Sequence, residues 1–289
     1  MNILVTGSNG QLGSEIKEIA VDYNDFKFLF KDLPELNICK KDELNTFILN
    51  QNIDVVINCA AYTVVDKAEE NFEIAEQVNS YGVQNLINAL EKVNGKLVHI
   101  STDYVFDGSN SKPYKESDRV NPLGVYGKTK RDGELFVINS TIDSIVIRTS
   151  WLYSSFGNNF VKTIYRLGSE KNSLNVISDQ IGTPTYARDL AKICMDIISN
   201  LDSEKISNKG KVYHYSNEGV ASWYDFACSV IELSESKCKV KAIQTTDYLT
   251  IAKRPHYSVL NKTKIKNDFK VDIPHWKESL KECINKLKQ

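Results

Sequence analysis

The chain has no excess of charge of either sign. Its 36 Lys and Arg stand against 37 Asp and Glu, for a formal charge of −1. No global field therefore draws it to nucleic acid or to a membrane surface, and neither is expected as a partner. Its six cysteines, at 39, 59, 194, 228, 238 and 283, form no C-x-x-C pair, and its four histidines, at 99, 214, 256 and 275, are scattered. That pattern speaks against a disulfide framework and a zinc site, and for reduced thiols in a cytoplasmic protein; no metal is expected. No apolar run is long enough to cross a bilayer, and a strand pattern from residue 2 leaves no room for a signal peptide. Internal repeats and low-complexity tracts are also missing.

The chain does have the length, 289 residues, to bury a full core. Asn2–Thr6 is a short apolar run typical of a buried parallel strand. It enters Gly7-Ser8-Asn9-Gly10-Gln11-Leu12-Gly13 and then a helical pattern at Leu12, Ile16, Ile19 and Ala20. Glycines at such a corner permit a tight turn and close approach of a pyrophosphate, which the free N–H groups of the helix then face. No Gly-Lys-Ser/Thr follows, which argues against a nucleotide triphosphatase. Phe26–Phe30 reads as a second strand ending at Lys31-Asp32. Asp32, nineteen residues after Gly13, stands near the place of the acid that binds a ribose 2′-hydroxyl. Lys31 beside it would instead tolerate a 2′-phosphate.

Further strands are expected at Asp54–Asn58, Lys96–Ser101 and Ser144–Arg148, with helices at Asp42–Asn50, over Asp66–Val93 in two pieces, and around Tyr126. Small residues after the third strand, Cys59-Ala60-Ala61, let a flat ring or a ribose approach the backbone. The loop 107–121, rich in Gly, Ser, Pro and charge, reads as a mobile segment over a site. The alternation predicts an α/β fold, a doubly wound parallel sheet of Rossmann type, with ligands at the carboxyl ends of its strands. Residues 1–150 form the dinucleotide-binding domain of this reading, and 151–289 a smaller, mainly substrate-binding region. The segment 187–215 is expected to return to the sheet, Ser222-x-x-Asp225 to cap a helix at Trp223–Leu233, and His275–Leu287 to close the chain.

Ser101-Thr102-Asp103-Tyr104 ends the fourth strand, and Tyr126 precedes Lys130 by four residues. On a helix such a pair lies about 40° apart around the axis and about 6 Å along it, on one face. A cation at that range favours a phenolate by about 3 kcal/mol, so Lys130 is expected to hold the Tyr126 phenol down. Tyr126 then exchanges a proton with a carbonyl oxygen. Thr102 is placed to donate a hydrogen bond to the same oxygen.

With Asn79, Ser101–Gly108, Arg148-Thr149-Ser150-Trp151, Gly157–Phe160, Asp179–Thr185 and Arg254-Pro255, these motifs resemble the extended short-chain dehydrogenase/reductases. Within them the resemblance is to the dTDP-4-dehydrorhamnose reductase family and covers nearly the whole chain. It implies reduction of a dTDP-sugar ketone with NADPH or NADH, for polysaccharide biosynthesis, and allows a homodimer. By that resemblance Thr102, Tyr126 and Lys130 are catalytic. Gly7, Gly10, Gln11, Leu12, Asp32, Ala60, Ala61 and Thr63 would line the cofactor together with Tyr126 and Lys130. Val65, Thr102, Tyr104 and Trp151 would face the sugar, and Asn159, Thr183 and Arg254 the nucleotide. Some members are associated with a magnesium-bridged dimer held by acidic residues, of which Glu15 is present. A 4,6-dehydratase shares the fold but has Thr-Asp-Glu where this chain has Thr102-Asp103-Tyr104. A 4-epimerase would use the same fold to oxidise its sugar before reducing it. The regulatory subunit of methionine adenosyltransferase uses it as a binding partner, without catalysis.

Overall fold

Apolar residues that alternate faces along five short runs build the centre of the molecule. The computed structural model describes residues 1–200 and 209–289. Strands β1 (Asn2–Thr6), β2 (Lys27–Lys31), β3 (Val55–Asn58), β4 (Lys96–Thr102) and β5 (Ser144–Thr149) alternate with α1 (Gln11–Ile19), α2 (Lys41–Asn50), α3 (Val65–Glu70), α4 (Phe72–Glu76), α5 (Gly82–Glu91) and α6 (Val125–Ile138). The chain continues through β6 (Leu152–Tyr153), α7 (Phe160–Glu170), β7 (Ser173–Ile177), β8 (Ile181–Gly182), β9 (Thr185–Tyr186) and α8 (Ala187–Asn200). After the span 201–208, which lies outside the described residues although it falls within the expected return at 187–215, come β10 (Lys211–His214), β11 (Ala221–Ser222), α9 (Trp223–Leu233), β12 (Lys239–Ile243), α10 (Thr263–Phe269) and α11 (Trp276–Leu287).

The central sheet has the order β10-β5-β4-β3-β1-β2 and is parallel throughout. Ile3, Val5, Ile57 and Ile147 pack on α1 and α8 on one face. Leu4, Val56, Leu97 and Val146 pack on α2 and α5 on the other. Burying both faces is what allows strands this apolar. A third core, with Tyr153, Val161, Phe226, Val230 and Trp276, lies under α7, α9 and α11. The expected cap forms: Ser222 Oγ accepts from Asp225 N and the Asp225 carboxylate accepts from Ser222 N.

Two expectations are corrected here. The helical stretch over 66–93, expected in two pieces, is three helices with a π turn at Gln77–Tyr81, which aims Asn79 inward. The loop 107–121 is pinned. Asp107 accepts from Ser109 and Asn121, Tyr114 stacks on Phe106 at 4.1 Å, and Tyr114 exchanges backbone hydrogen bonds with Val259 and Asn261. Its composition announces a loop, but two buried aromatic rings anchor it.

Candidate active site

The carboxyl ends of β1, β3 and β4 meet the amino end of α1 at the glycine-rich corner. Gly7 has a φ of +62°, and a side chain there would run into the Ala60 backbone at 2.6 Å. A side chain at Gly13 would meet the Ser8 Cα at 2.5 Å. Gly10 caps α1 with no side-chain hydrogen bond and no acid in the first turn, so the N–H groups there stay open to an anion. The buried Gln11 Oε1 has no partner either. These features fit a dinucleotide pyrophosphate. Leu12 packs into the core instead. Asp32 accepts from Asn9 N at 2.9 Å and Leu33 N at 2.8 Å, which binds it to the corner. Lys31 is paired with Glu35 at 2.8 Å. Asn79 holds the loop after β3 through both backbone groups of Tyr62 and also donates to Thr129 of α6. Ala60 and Ala61 lie in that loop, and Thr63 is exposed beyond it.

Helix α6 is locked onto β4 and β5 by one carboxylate. Glu134 is fully buried and accepts from Ser101 Oγ at 2.7 Å and from the Arg148 guanidinium twice at 2.8 Å. Arg131 adds a contact at 2.8 Å. One turn earlier, Lys130 is buried and donates to the Ile100 carbonyl at 2.6 Å. Burial pulls its ammonium down to about 8, against the Glu134 carboxylate and Cys59. Burial also pushes the Tyr126 phenol up to about 12, offset in part by the Thr102 hydroxyl and reinforced by Asp103. The expectation that Lys130 holds the phenol down is therefore corrected: Lys130 is turned to Ile100 and desolvation of the phenol dominates.

Thr102 is also engaged. Its hydroxyl donates to Asp103 Oδ1 at 3.0 Å and accepts from Tyr104 N at 3.1 Å. The same hydroxyl also reaches the Tyr126 phenol. Burial pushes the Asp103 carboxyl up to about 6, opposed by the Ser258 and Thr102 hydroxyls. The Tyr104 ring meets Tyr126 edge-on at 5.4 Å. Thr102, Asp103, Tyr104, Tyr126 and Lys130 thus form one cluster.

The other expected residues divide. Trp151 has a left-handed φ of +48°, costly for a bulky residue, and stacks on Trp223 at 3.6 Å. Arg254 pairs with Asp66 at 2.6 Å, beside the partly buried Val65. Asn159 and Thr183 are not free for a nucleotide. Asn159 caps α7 through Lys162 N and donates to the Ser154 and Phe156 carbonyls. Thr183 is fully buried and donates to Gly219 O. Both expectations misjudged hydroxyl and amide groups that serve the local backbone. Sequence reasoning passed over Asp103 and Glu134, although Asp103 follows Thr102 and Glu134 sits one turn after Lys130.

Residues 1–289 match the family described as RmlD substrate binding domain. The dTDP-4-dehydrorhamnose reductase of Aggregatibacter actinomycetemcomitans is 41% identical over 285 residues, 96% of this chain and 97% of that one. This chain belongs to the RmlD family. A crystal structure of a dTDP-4-dehydrorhamnose reductase from Clostridium acetobutylicum is 41% identical, covers all of both chains and superposes with a TM-score of 0.93. The Bacillus anthracis dTDP-4-dehydrorhamnose reductase, solved in complex with NADP, is 34% identical over 99% of each chain, with a TM-score of 0.92.

Glu15, the acid that the resemblance links to a magnesium bridge, lies in an ionic cluster of this chain's own residues. Its carboxylate accepts from Ser154 Oγ at 2.6 Å and faces Arg188 and Lys286 at 3.5 and 3.8 Å. The carboxylates of this cluster, Glu15 and Glu18 with Glu282, are already engaged by Arg188 and Lys286.

Proposed function

We infer that the protein reduces dTDP-4-dehydro-L-rhamnose to dTDP-L-rhamnose with NADPH or NADH, in nucleotide-sugar supply for polysaccharide biosynthesis. The observation that carries this reading is the cluster that sets the Tyr126 phenol beside Thr102, Asp103, Tyr104 and the buried Lys130, where burial pushes the phenol up. A phenol in that state keeps its proton at neutral pH and acts as an acid, which is what a ketone oxygen needs as it becomes an alcohol. The reduced nicotinamide, when bound, supplies the hydride. Tyr126 supplies the proton, the Gly7–Gly13 corner takes the pyrophosphate, and Lys130 and Asp32 take the ribose hydroxyls. Val65, Tyr104 and Trp151 face the sugar, and Arg254 the diphosphate. Tyr104 brings a ring, not a carboxylate, to the position where a dehydratase carries an acid, so water elimination lacks its extra group.

Incubating the purified protein with NADPH and the ketosugar nucleotide tests this. Loss of NADPH absorbance with formation of dTDP-L-rhamnose is expected; flat absorbance and no rhamnose product would end the reductase reading. Interconversion of epimers with tightly held cofactor would favour a 4-epimerase. Among the described residues no helix is long and apolar enough to cross a membrane. The reading also includes residence in the cytoplasm and a homodimer, which fractionation and analytical sedimentation would test.

A further inference from the structure

The turn that carries Tyr126 is poorly made for a helix on its own. It reads Gly124-Val125-Tyr126-Gly127, with two glycines and a β-branched residue. Gly124 caps α6 with no side-chain hydrogen bond, and the first turn holds no acid. The missing cap comes from another element. Glu69 of α3 accepts the Val125 N–H at 2.8 Å, across 56 residues of chain. The donor is a backbone N–H and the acceptor a carboxylate at the positive end of a helix, so the contact is favourable on both counts. The glycine beside it is fitted to this contact. A side-chain carbon at Gly124 would run into Glu69 Oε1, and among the described residues only the Glu69 carboxyl comes within 4 Å of it, its chain neighbours aside. Gly127 does the same on the other side, where a side-chain carbon would run into the Tyr104 carbonyl oxygen. Helix α3 is itself braced. Asp66, three residues before Glu69 and so its neighbour on the helix surface, holds the Ala252 N–H and the Arg254 guanidinium.

We propose that Glu69 is a positioning residue for Tyr126: reaching from α3, it caps the amino end of α6 and sets where the phenol stands against the sugar. The proposal rests on the reductase reading, in which Tyr126 gives the proton and Val65 faces the sugar. The anchored N–H belongs to the residue just before Tyr126, so the contact acts on the backbone that carries the phenol. Val65 opens α3, one turn before Glu69. The wall of the sugar site and the proton donor are therefore fixed to one short helix. Glu134 locks α6 to β4 and β5 about two turns further along, which holds the body of the helix but leaves its first turn to Glu69. Proton transfer needs the phenol within hydrogen-bond reach of the ketone oxygen, so a small shift of that turn is felt in turnover.

Variants of the full chain, assayed with NADPH and the ketosugar nucleotide, test this. Glu69→Ala should lower kcat about tenfold and leave KM for NADPH within about twofold. Glu69→Gln, whose amide oxygen can still accept from Val125, should stay within about threefold of the unaltered kcat. Gly124→Ala puts a methyl where the carboxylate sits and should cost as much as Glu69→Ala; added to Glu69→Ala it should cost nothing more. The deciding comparison is made in Tyr126→Phe. If Glu69 acts through the phenol, Glu69→Ala should change kcat in that background by less than about twofold, while lowering the melting temperature equally in both. Equal fold losses of kcat in the two backgrounds would make Glu69 a structural cap only and overturn the proposal. Full kcat in a folded Glu69→Ala would do the same. Should Glu69→Ala fail to fold, Gly124→Ala in the two backgrounds decides on the same terms. A second readout needs only the protein. With ring-labelled tyrosine, the Tyr126 NMR signal, identified by its loss in Tyr126→Phe, should shift in Glu69→Ala and Gly124→Ala and hold in Glu69→Gln. If the unaltered protein reduces no ketosugar, the reductase reading has failed, and a Tyr126 signal unmoved by Glu69→Ala and Gly124→Ala still overturns the placement by Glu69.

Discussion

Asp103 is a carboxyl that the fold makes costly to ionise. Its pKa rises from 3.8 to about 6 on burial, so the native state holds the proton more tightly than the unfolded one. Below pH 3.8 both states are protonated and nothing is lost; above pH 6 both are ionised and the native state carries the full penalty, about 3 kcal/mol at most. Asp103→Asn should therefore stabilise the protein by about 1–3 kcal/mol at pH 7, with the gain gone by pH 3.5, read from urea midpoints at the two values. A destabilised variant at neutral pH would show that the carboxylate is better solvated than its burial implies. Tyr126→Phe removes the transferable proton with little change in packing, and kcat should fall by about 10²–10⁴ with the melting temperature unchanged. Near-normal turnover would remove the mechanism. Cofactor choice is also set by single residues. Asp32 favours a 2′-hydroxyl, and Lys31 is partly neutralised by Glu35. The kcat/KM values for NADH and NADPH at one ionic strength should differ by less than about a thousandfold, or 4 kcal/mol.

Helix α6 carries the proton donor, and its placement depends on Glu134. Glu134→Gln keeps the shape but leaves the Arg148 guanidinium, 3% exposed, without its counter-charge. Breaking a buried pair from one side costs about 3–5 kcal/mol. Denaturant unfolding should show that loss, and kcat should fall more than KM changes because Tyr126 and Lys130 move with the helix. An equal loss from Arg131→Gln would mean the partly buried Arg131 contact carries the load. The element itself is legible in the sequence: Tyr126 and Lys130 share a helical face, and the glycine corner lies between a strand and a helix as its pattern requires. Its electrostatics are not. Spacing along a helix reports which side chains are neighbours, and so it makes Lys130 a cation beside a phenol. It does not report that the Ile100 carbonyl, thirty residues back in the chain, captures the amine. Asn159 and Thr183 failed for a related reason. A motif marks a polar residue, but only the backbone around it tells whether that residue caps a helix or meets a ligand.

At the scale of the molecule, ionic contacts among the described residues join the amino-terminal strands and helices to the carboxyl-terminal region at two places. Glu15 and Glu18 of α1 face Arg188 and Lys286, and Asp66 holds Arg254 across 188 residues of chain. The parallel order of the sheet follows from strand–helix alternation, but the partners of these contacts come from distant segments and leave no local signal. The Asp66 contact bears on substrate. Its carboxylate takes the Arg254 guanidinium at 2.6 Å and the Ala252 N–H at 3.1 Å; burial would raise the Asp66 carboxyl, but the guanidinium and the backbone N–H groups outweigh it and hold it below its usual range. A sugar-nucleotide diphosphate seeking Arg254 must compete with that carboxylate, and both groups are open enough to water for salt to weaken the contest. Arg254→Met should raise KM for the sugar nucleotide about tenfold or more and leave KM for NADPH within about twofold. Asp66→Asn removes the competitor, so KM for the sugar nucleotide should fall at low ionic strength and converge on the unaltered value as salt is added. If Asp66→Asn instead raises KM as far as Arg254→Met does, the carboxylate positions the guanidinium for the substrate and does not compete with it.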